Sequence, residues 1–122
     1  MKEIIAIIRP KKVEETKDAL DKLGFPGITA SAVLGRGKQR GIAGELSYPV
    51  SPELAAMGRS GGMKFIPKRF ITVVVEDSDV EKIVSTIVKV NQTAQIGDGK
   101  IFISSIDNAV RVRTGETGIP AL

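Results

Sequence analysis

The stretch Arg69-Phe70-Ile71-Thr72-Val73-Val74-Val75, followed almost at once by Ser78-Asp79-Val80-Glu81, decides the fold. Its first seven residues are mostly β-branched or aromatic, the composition of a strand. Ser78 and Glu81 stand three apart in the pattern of a capping box. Val80, Ile83, Val84, Ile87 and Val88 then recur at helical spacing and make one apolar face. A further strand is predicted over 100–106. The N-terminal part repeats the same order. Residues 2–8 read as a buried strand, and Pro10 suits the first turn of a helix. Val13, Lys17, Leu20 and Leu23 follow helical spacing, Gly24 is its stop, and 28–34 reads as the second strand.

Two strand–helix–strand units predict an α+β fold, the ferredoxin-like double βαβ sandwich, with four antiparallel strands and two helices on one face. Ile4-Ile5-Ala6-Ile7-Ile8 and Val73-Val74-Val75 are apolar at consecutive positions, which predicts burial on both faces of the sheet. A second copy of the chain is the simplest cover, so a homo-oligomer is expected. Residues 109–112 add a short fifth strand. Between the units, 42–64 is too long for an ordinary connection, and loops of that length are usually functional or disordered. Within it, Ser51-Pro52-Glu53-Leu54-Ala55-Ala56-Met57-Gly58 predicts a turn or two of helix.

At 122 residues the chain is expected to form one domain, 1–122, with ordinary shares of apolar (42%) and charged (26%) residues. No apolar run approaches the roughly 20 residues that cross a bilayer. Met1-Lys2-Glu3 leads straight into a strand-like run rather than a signal-peptide core, and cysteine is absent. The expectation is a cytoplasmic protein with no direct membrane insertion. Without Cys or His there is no thiol nucleophile, no Ser-His-Asp triad and no soft-metal site of the usual kind. Any metal is expected to be a hard, oxygen-liganded ion such as magnesium. A net charge of +4 is compatible with an anionic ligand, nucleotide or nucleic acid.

Two glycine-and-basic runs narrow that choice. Gly35-Arg36-Gly37-Lys38-Gln39-Arg40-Gly41 and Gly97-Asp98-Gly99-Lys100 each lie beside a predicted strand. Glycine lets backbone N–H groups approach an anion, and Lys or Arg supplies the counter-charge. A tight turn is the other reading of each run alone. Arg111 and Arg113, at alternate positions of the predicted fifth strand, face one side and can converge on a polyphosphate. The dinucleotide fingerprint and the P-loop are both absent. Lys68 and Arg9 read equally as strand-end cations, and Gln39 either as a surface residue or as an oxygen donor to magnesium. Four Phe, one Tyr and no Trp leave too little aromatic interleaving for an RNA-binding sheet, so no nucleic acid is expected. Asp98 has no nucleophile or acid–base partner, so no catalytic residue is assigned and no enzyme is expected.

The chain resembles the PII family of nitrogen-regulatory signal proteins. The resemblance is carried by the run from Gly35 to Gly41, by Ile66-Pro67-Lys68, by Thr93-Ala94-Gln95-Ile96-Gly97-Asp98-Gly99-Lys100-Ile101-Phe102, and by Arg111-Val112-Arg113-Thr114-Gly115-Glu116. It implies a trimer with ATP or ADP in each of three inter-subunit clefts. Gly37, Lys38, Gln39, Thr93, Ile96, Gly97, Gly99, Lys100, Arg111 and Arg113 would surround the nucleotide. The effector 2-oxoglutarate would chelate magnesium beside the ATP phosphates, with Gln39 as the side-chain ligand to the metal. Lys68 would pair with an effector carboxylate, helped by Arg9. Residues 42–64 correspond to the T-loop that touches target proteins, and 114–122 to a C-terminal tail.

Departures from the family pattern are Lys38, where Arg is usual, Ala94-Gln95, where Gly-Lys is usual, and a longer loop. Tyr48 lacks the surroundings of the tyrosine that is uridylylated in some relatives. The long loop, Ile66-Pro67-Lys68-Arg69 and Val90-Asn91-Gln92-Thr93 look most like the nitrogenase-associated archaeal and anaerobe branch. There, two PII-like proteins act together to inhibit nitrogenase and 2-oxoglutarate relieves the inhibition; this chain looks like the second, longer-loop member. The resemblance thus implies a homotrimer or a mixed assembly with a paralogue, and a nitrogenase component as target. An ammonium channel or glutamine synthetase is the alternative target.

Overall fold

The computed structural model describes residues 1–37 and 65–122. Among these residues four strands and two α-helices follow in order: β1 Lys2–Ile8, α1 Val13–Lys22, β2 Thr29–Gly35, β3 Ile66–Val75, α2 Val80–Asn91 and β4 Gly99–Ser105. All pairings are antiparallel and the sheet order is β2-β3-β1-β4. This is the ferredoxin-like arrangement that the two repeated units predict. The predicted helix at 51–58, Tyr48 and the long loop lie outside the described residues.

Alternation along the strands builds one closed face. Ile4, Ala6 and Ile8 of β1 and Ile71, Val73 and Val75 of β3 are buried, packed with Leu20 of α1 and Ile83 and Ile87 of α2. Removing such side chains from water is the main favourable term in the fold. A buried polar link ties the helices together. Asn91 Nδ2 donates to Thr16 Oγ1 at 3.0 Å, and Thr16 Oγ1 donates to the Lys12 carbonyl at 2.7 Å. The opposite sheet face carries Ile5, Ile7, Phe70 and Phe102, in cross-strand register and only partly buried. Phe102 remains 52% exposed in the single chain.

Two local expectations are corrected. The capping box at Ser78 does not form, because a 3-10 turn over Asp77–Asp79 already leads into α2. The chain leaves extended geometry at Glu76, four residues before the helix proper, and Asp79 pairs instead with Lys82 at 3.1 Å. The fifth strand over 109–112 is reduced to a single bridge between Val110 and Thr117. Arg111 N donates to the Glu116 carbonyl and Gly115 N to the Arg111 carbonyl, so the chain reverses there. Gly115, at φ +73°, supplies the left-handed residue this reversal needs. Arg111 and Arg113 therefore lie on a tight turn, and the same-face argument for a strand does not apply to them.

Candidate functional site

The loop joining α2 to β4, residues 92–98, is shaped by its own side chains. Asp98 Oδ2 accepts the Thr93 amide at 2.6 Å, and Asp98 Oδ1 accepts the Thr93 hydroxyl. The Thr93 hydroxyl oxygen in turn accepts the Gln95 amide at 3.3 Å. Ala94, Gly97 and Gly99 all have positive φ, at 64°, 101° and 121°. Gly99 is required by more than its φ: a Cβ there would sit 2.0 Å from the Ile7 carbonyl oxygen.

Two cations from other strands hold this loop by its carbonyls. Arg9, 5% exposed at the end of β1, donates from Nη2 to the Ile96 carbonyl at 3.0 Å and pairs with Asp98 at 3.4 Å. Lys68, 8% exposed on β3, donates from Nζ to the Gly97 carbonyl at 2.6 Å. The result is a groove of about 580 Å³ between the loop, the ends of β1 and β4, and the start of the segment after β2. Its cations are Arg36, Lys68 and Lys100, and no carboxylate lines it among the described residues. Gly37, Ile96, Gly97 and Gly99 supply backbone surface. Small-molecule sites span about 300–1,000 Å³, so the space is ample. A cationic, glycine-walled groove without carboxylates fits a polyanion.

The predicted site residues divide into four groups. Gly37, Ile96, Gly97, Gly99, Lys100 and Lys68 come together in the groove. Thr93 and Arg9 are engaged behind the loop, through Asp98 and the Ile96 carbonyl. Arg111 is elsewhere, donating to the Leu122 carbonyl at 2.8 Å and pairing with Glu116 at 3.3 Å, and Arg113 is exposed on the adjoining turn. Lys38 and Gln39 lie outside the described residues. Among the described residues, no group of three or more acidic side chains could hold a metal ion. A divalent cation prefers oxygen ligands, and the described lining residues offer it no carboxylate.

Ile7, Ile66 and Phe102 also line the groove and add an apolar wall that the glycine runs do not announce. The signal available was the consecutive apolar residues of β1, half of which must face away from the core. Asp98 is the other residue whose part is visible only in three dimensions. Burial pushes its carboxyl up, but hydrogen bonds from the Thr93 hydroxyl and amide and from Arg9 outweigh this and hold it below its ordinary value of 3.8. A depressed carboxyl contributes stability that is present above the unfolded pKa and is lost as pH falls through the folded value. The melting-temperature gap between wild type and Asp98→Asn is therefore expected to be widest near neutral pH and to narrow as acid protonates the carboxyl, below its ordinary value of 3.8.

The family model described as nitrogen regulatory protein P-II matches residues 1–116. The chain is 58% identical to "Nitrogen fixation nifHD1 region GlnB-like protein 2" of Methanosarcina barkeri, over 100% of this chain and 99% of that one. It is 54% identical to "Nitrogen fixation nifHD region GlnB-like protein 2" of Methanothermobacter marburgensis, over the whole of both chains. It is also 46% identical to the "GlnB-like protein 1" of the same region in that organism, over 98% of this chain and 100% of that one.

Proposed function

The chain belongs to the nitrogen regulatory protein P-II family, whose members are regulatory signal proteins rather than enzymes and generally bind ATP or ADP and 2-oxoglutarate. From that premise we propose that it senses MgATP or MgADP together with 2-oxoglutarate and inhibits nitrogenase, with relief by 2-oxoglutarate. The observation that carries this reading is the cationic groove, with no carboxylate among its described lining residues, in which Lys68 and Lys100 meet the backbone of Gly97 and Gly99.

Phosphates would lie against Gly37, Gly97, Gly99 and Lys100, with Ile96 on the nucleotide. A 2-oxoglutarate carboxylate would meet Lys68, and Gln39 would give the one side-chain oxygen to magnesium. Arg9 and Thr93 act through the loop they hold. Arg111 and Arg113 would come from a neighbouring subunit, which also accounts for the half-exposed Phe102 and its apolar sheet face. The assembly is a trimer, either of this chain alone or mixed with a paralogue. The relatives' names tie them to a nitrogen fixation region and number two proteins there, in keeping with a paired regulator of nitrogenase. Residues 42–64 would carry the contact with the target. Among the described residues no helix is long and apolar enough to cross a membrane.

The shared magnesium makes the two ligands interdependent, since each changes the other's affinity by the same factor. Calorimetric titration with 2-oxoglutarate is expected to give tight binding with MgATP present and at least about tenfold weaker binding without it. Equal affinity in both conditions would contradict the shared metal. Effector-sensitive capture of a nitrogenase component tests the target, and capture of an ammonium channel or glutamine synthetase instead would replace it.

A further inference from the structure

We infer that Asp98 is a positioning residue that sets the affinity of the groove for its phosphate-bearing ligand from behind the loop, without touching that ligand. The inference rests on the reading of the groove as a phosphate site. Asp98 does not line the groove. It lines a smaller cleft of about 350 Å³ on the loop's other side, together with Ile8, Val84 and Ile87. Gly99 and Lys100 line both spaces, so this part of the chain is a common wall.

What Asp98 touches are the parts that give that wall its shape. Its carboxylate takes the amide and hydroxyl of Thr93 at the start of the loop, and the guanidinium of Arg9 from β1. Arg9 extends the grip to the Ile96 carbonyl in the middle of the loop. One partly buried ion pair thus ties the start, middle and end of the loop to the first strand. Such a tie is needed because Ala94 and Gly97 sit at positive φ, where the backbone has nearby alternatives. Without the carboxylate the Arg9 guanidinium, 6% exposed, loses an anionic partner in a site of low polarity. The loop then spreads over several shapes, of which only one presents Gly97, Gly99 and Lys100 together. A ligand that binds only that shape has its apparent affinity reduced by the fraction of molecules that hold it.

The experiment combines MgATP titration with hydrogen exchange of the 94–99 amides, on wild type, Asp98→Asn and Thr93→Val. In Asp98→Asn the loop amides are expected to exchange faster in the free protein and to regain wild-type protection at saturating MgATP. MgATP affinity falls about tenfold if the competent shape drops to about a tenth of the population. Thr93→Val, which keeps the ion pair, shows a smaller loss in the same direction and serves if Asp98→Asn does not fold. A loosened loop with unchanged MgATP affinity would overturn the inference, as would lost affinity with an unchanged loop. Wild type that binds no MgATP, with its loop protected, removes the phosphate-site reading and this inference with it, and is recognised without any variant.

Discussion

Replacing Gly99 by alanine is expected to cost about 3–5 kcal/mol of stability and to lower the melting temperature by roughly 10–20 °C. The two contributions are separate. Gly99 sits at φ +121°, a backbone region that L side chains rarely adopt, which alone costs on the order of 1–3 kcal/mol. The added Cβ would also lie 2.0 Å from the Ile7 oxygen and 3.0 Å from its carbonyl carbon. These are backbone atoms at the end of the β1–β4 pairing, where Ile8 faces Gly99 and Ile7 faces Lys100. They cannot rotate aside as the end of a side chain would, so β4 must shift along its length. Because Gly99 also walls the groove, phosphate-ligand binding is expected to fall with stability. Gly37→Ala is the control for stability: nothing lies within 4 Å of a Cβ there, and its melting point should move by no more than about 2 °C. Thermal melts of the two variants in parallel decide the point. A Gly99→Ala protein that melts like wild type would mean that the approach of β4 to β1 is looser than described.

The contrast between those glycines shows what sequence alone makes legible. The strand–helix–strand repeats are written in local periodicity, so β1, β2 and β4 fall within a residue of their predicted bounds. Periodicity says nothing of how a chain enters a helix when two geometries differ by a fraction of a turn. That is why Ser78 loses the capping role to an earlier 3-10 turn. The turn at Arg111 was hidden for a similar reason: Val110-Arg111-Val112 alternates like a strand, and the hydrogen bonds around Gly115 override it. In the site, glycine and lysine positions were readable because their chemistry is local. Asp98 was not, because its partners Arg9 and Thr93 come from separate elements and meet only after the sheet has formed. Ala94 is a halfway case. It stands where the family usually has glycine, and its φ of +64° supplies the physical reason for that preference.

Lys68→Met is expected to weaken 2-oxoglutarate binding in the presence of MgATP by about 10- to 100-fold, with little loss of stability. Lys68 lies on β3 opposite Val33, and its Cγ would be in ordinary contact with a Cβ at Gly35. At 8% exposure it holds a charge in a largely buried place, satisfied in part by the Gly97 carbonyl at 2.6 Å. A carboxylate arriving beside it gains a charge-assisted hydrogen bond worth about 1.5–3 kcal/mol, which sets the size of the expected loss. Methionine keeps most of the stem and its packing while removing the ammonium. The variant therefore separates ligand chemistry from folding, which alanine at the same place would not. The loss should also be selective. In Lys68→Met the effector is affected first and ATP alone by no more than about threefold, whereas Arg113→Ala, remote from this groove in the single chain, should lose ATP first. Paired titrations with MgATP alone and with 2-oxoglutarate on top of it give both numbers for both variants. Equal losses of the two ligands in Lys68→Met would sink the assignment of Lys68 to the effector and leave it as a support of the Gly97 carbonyl.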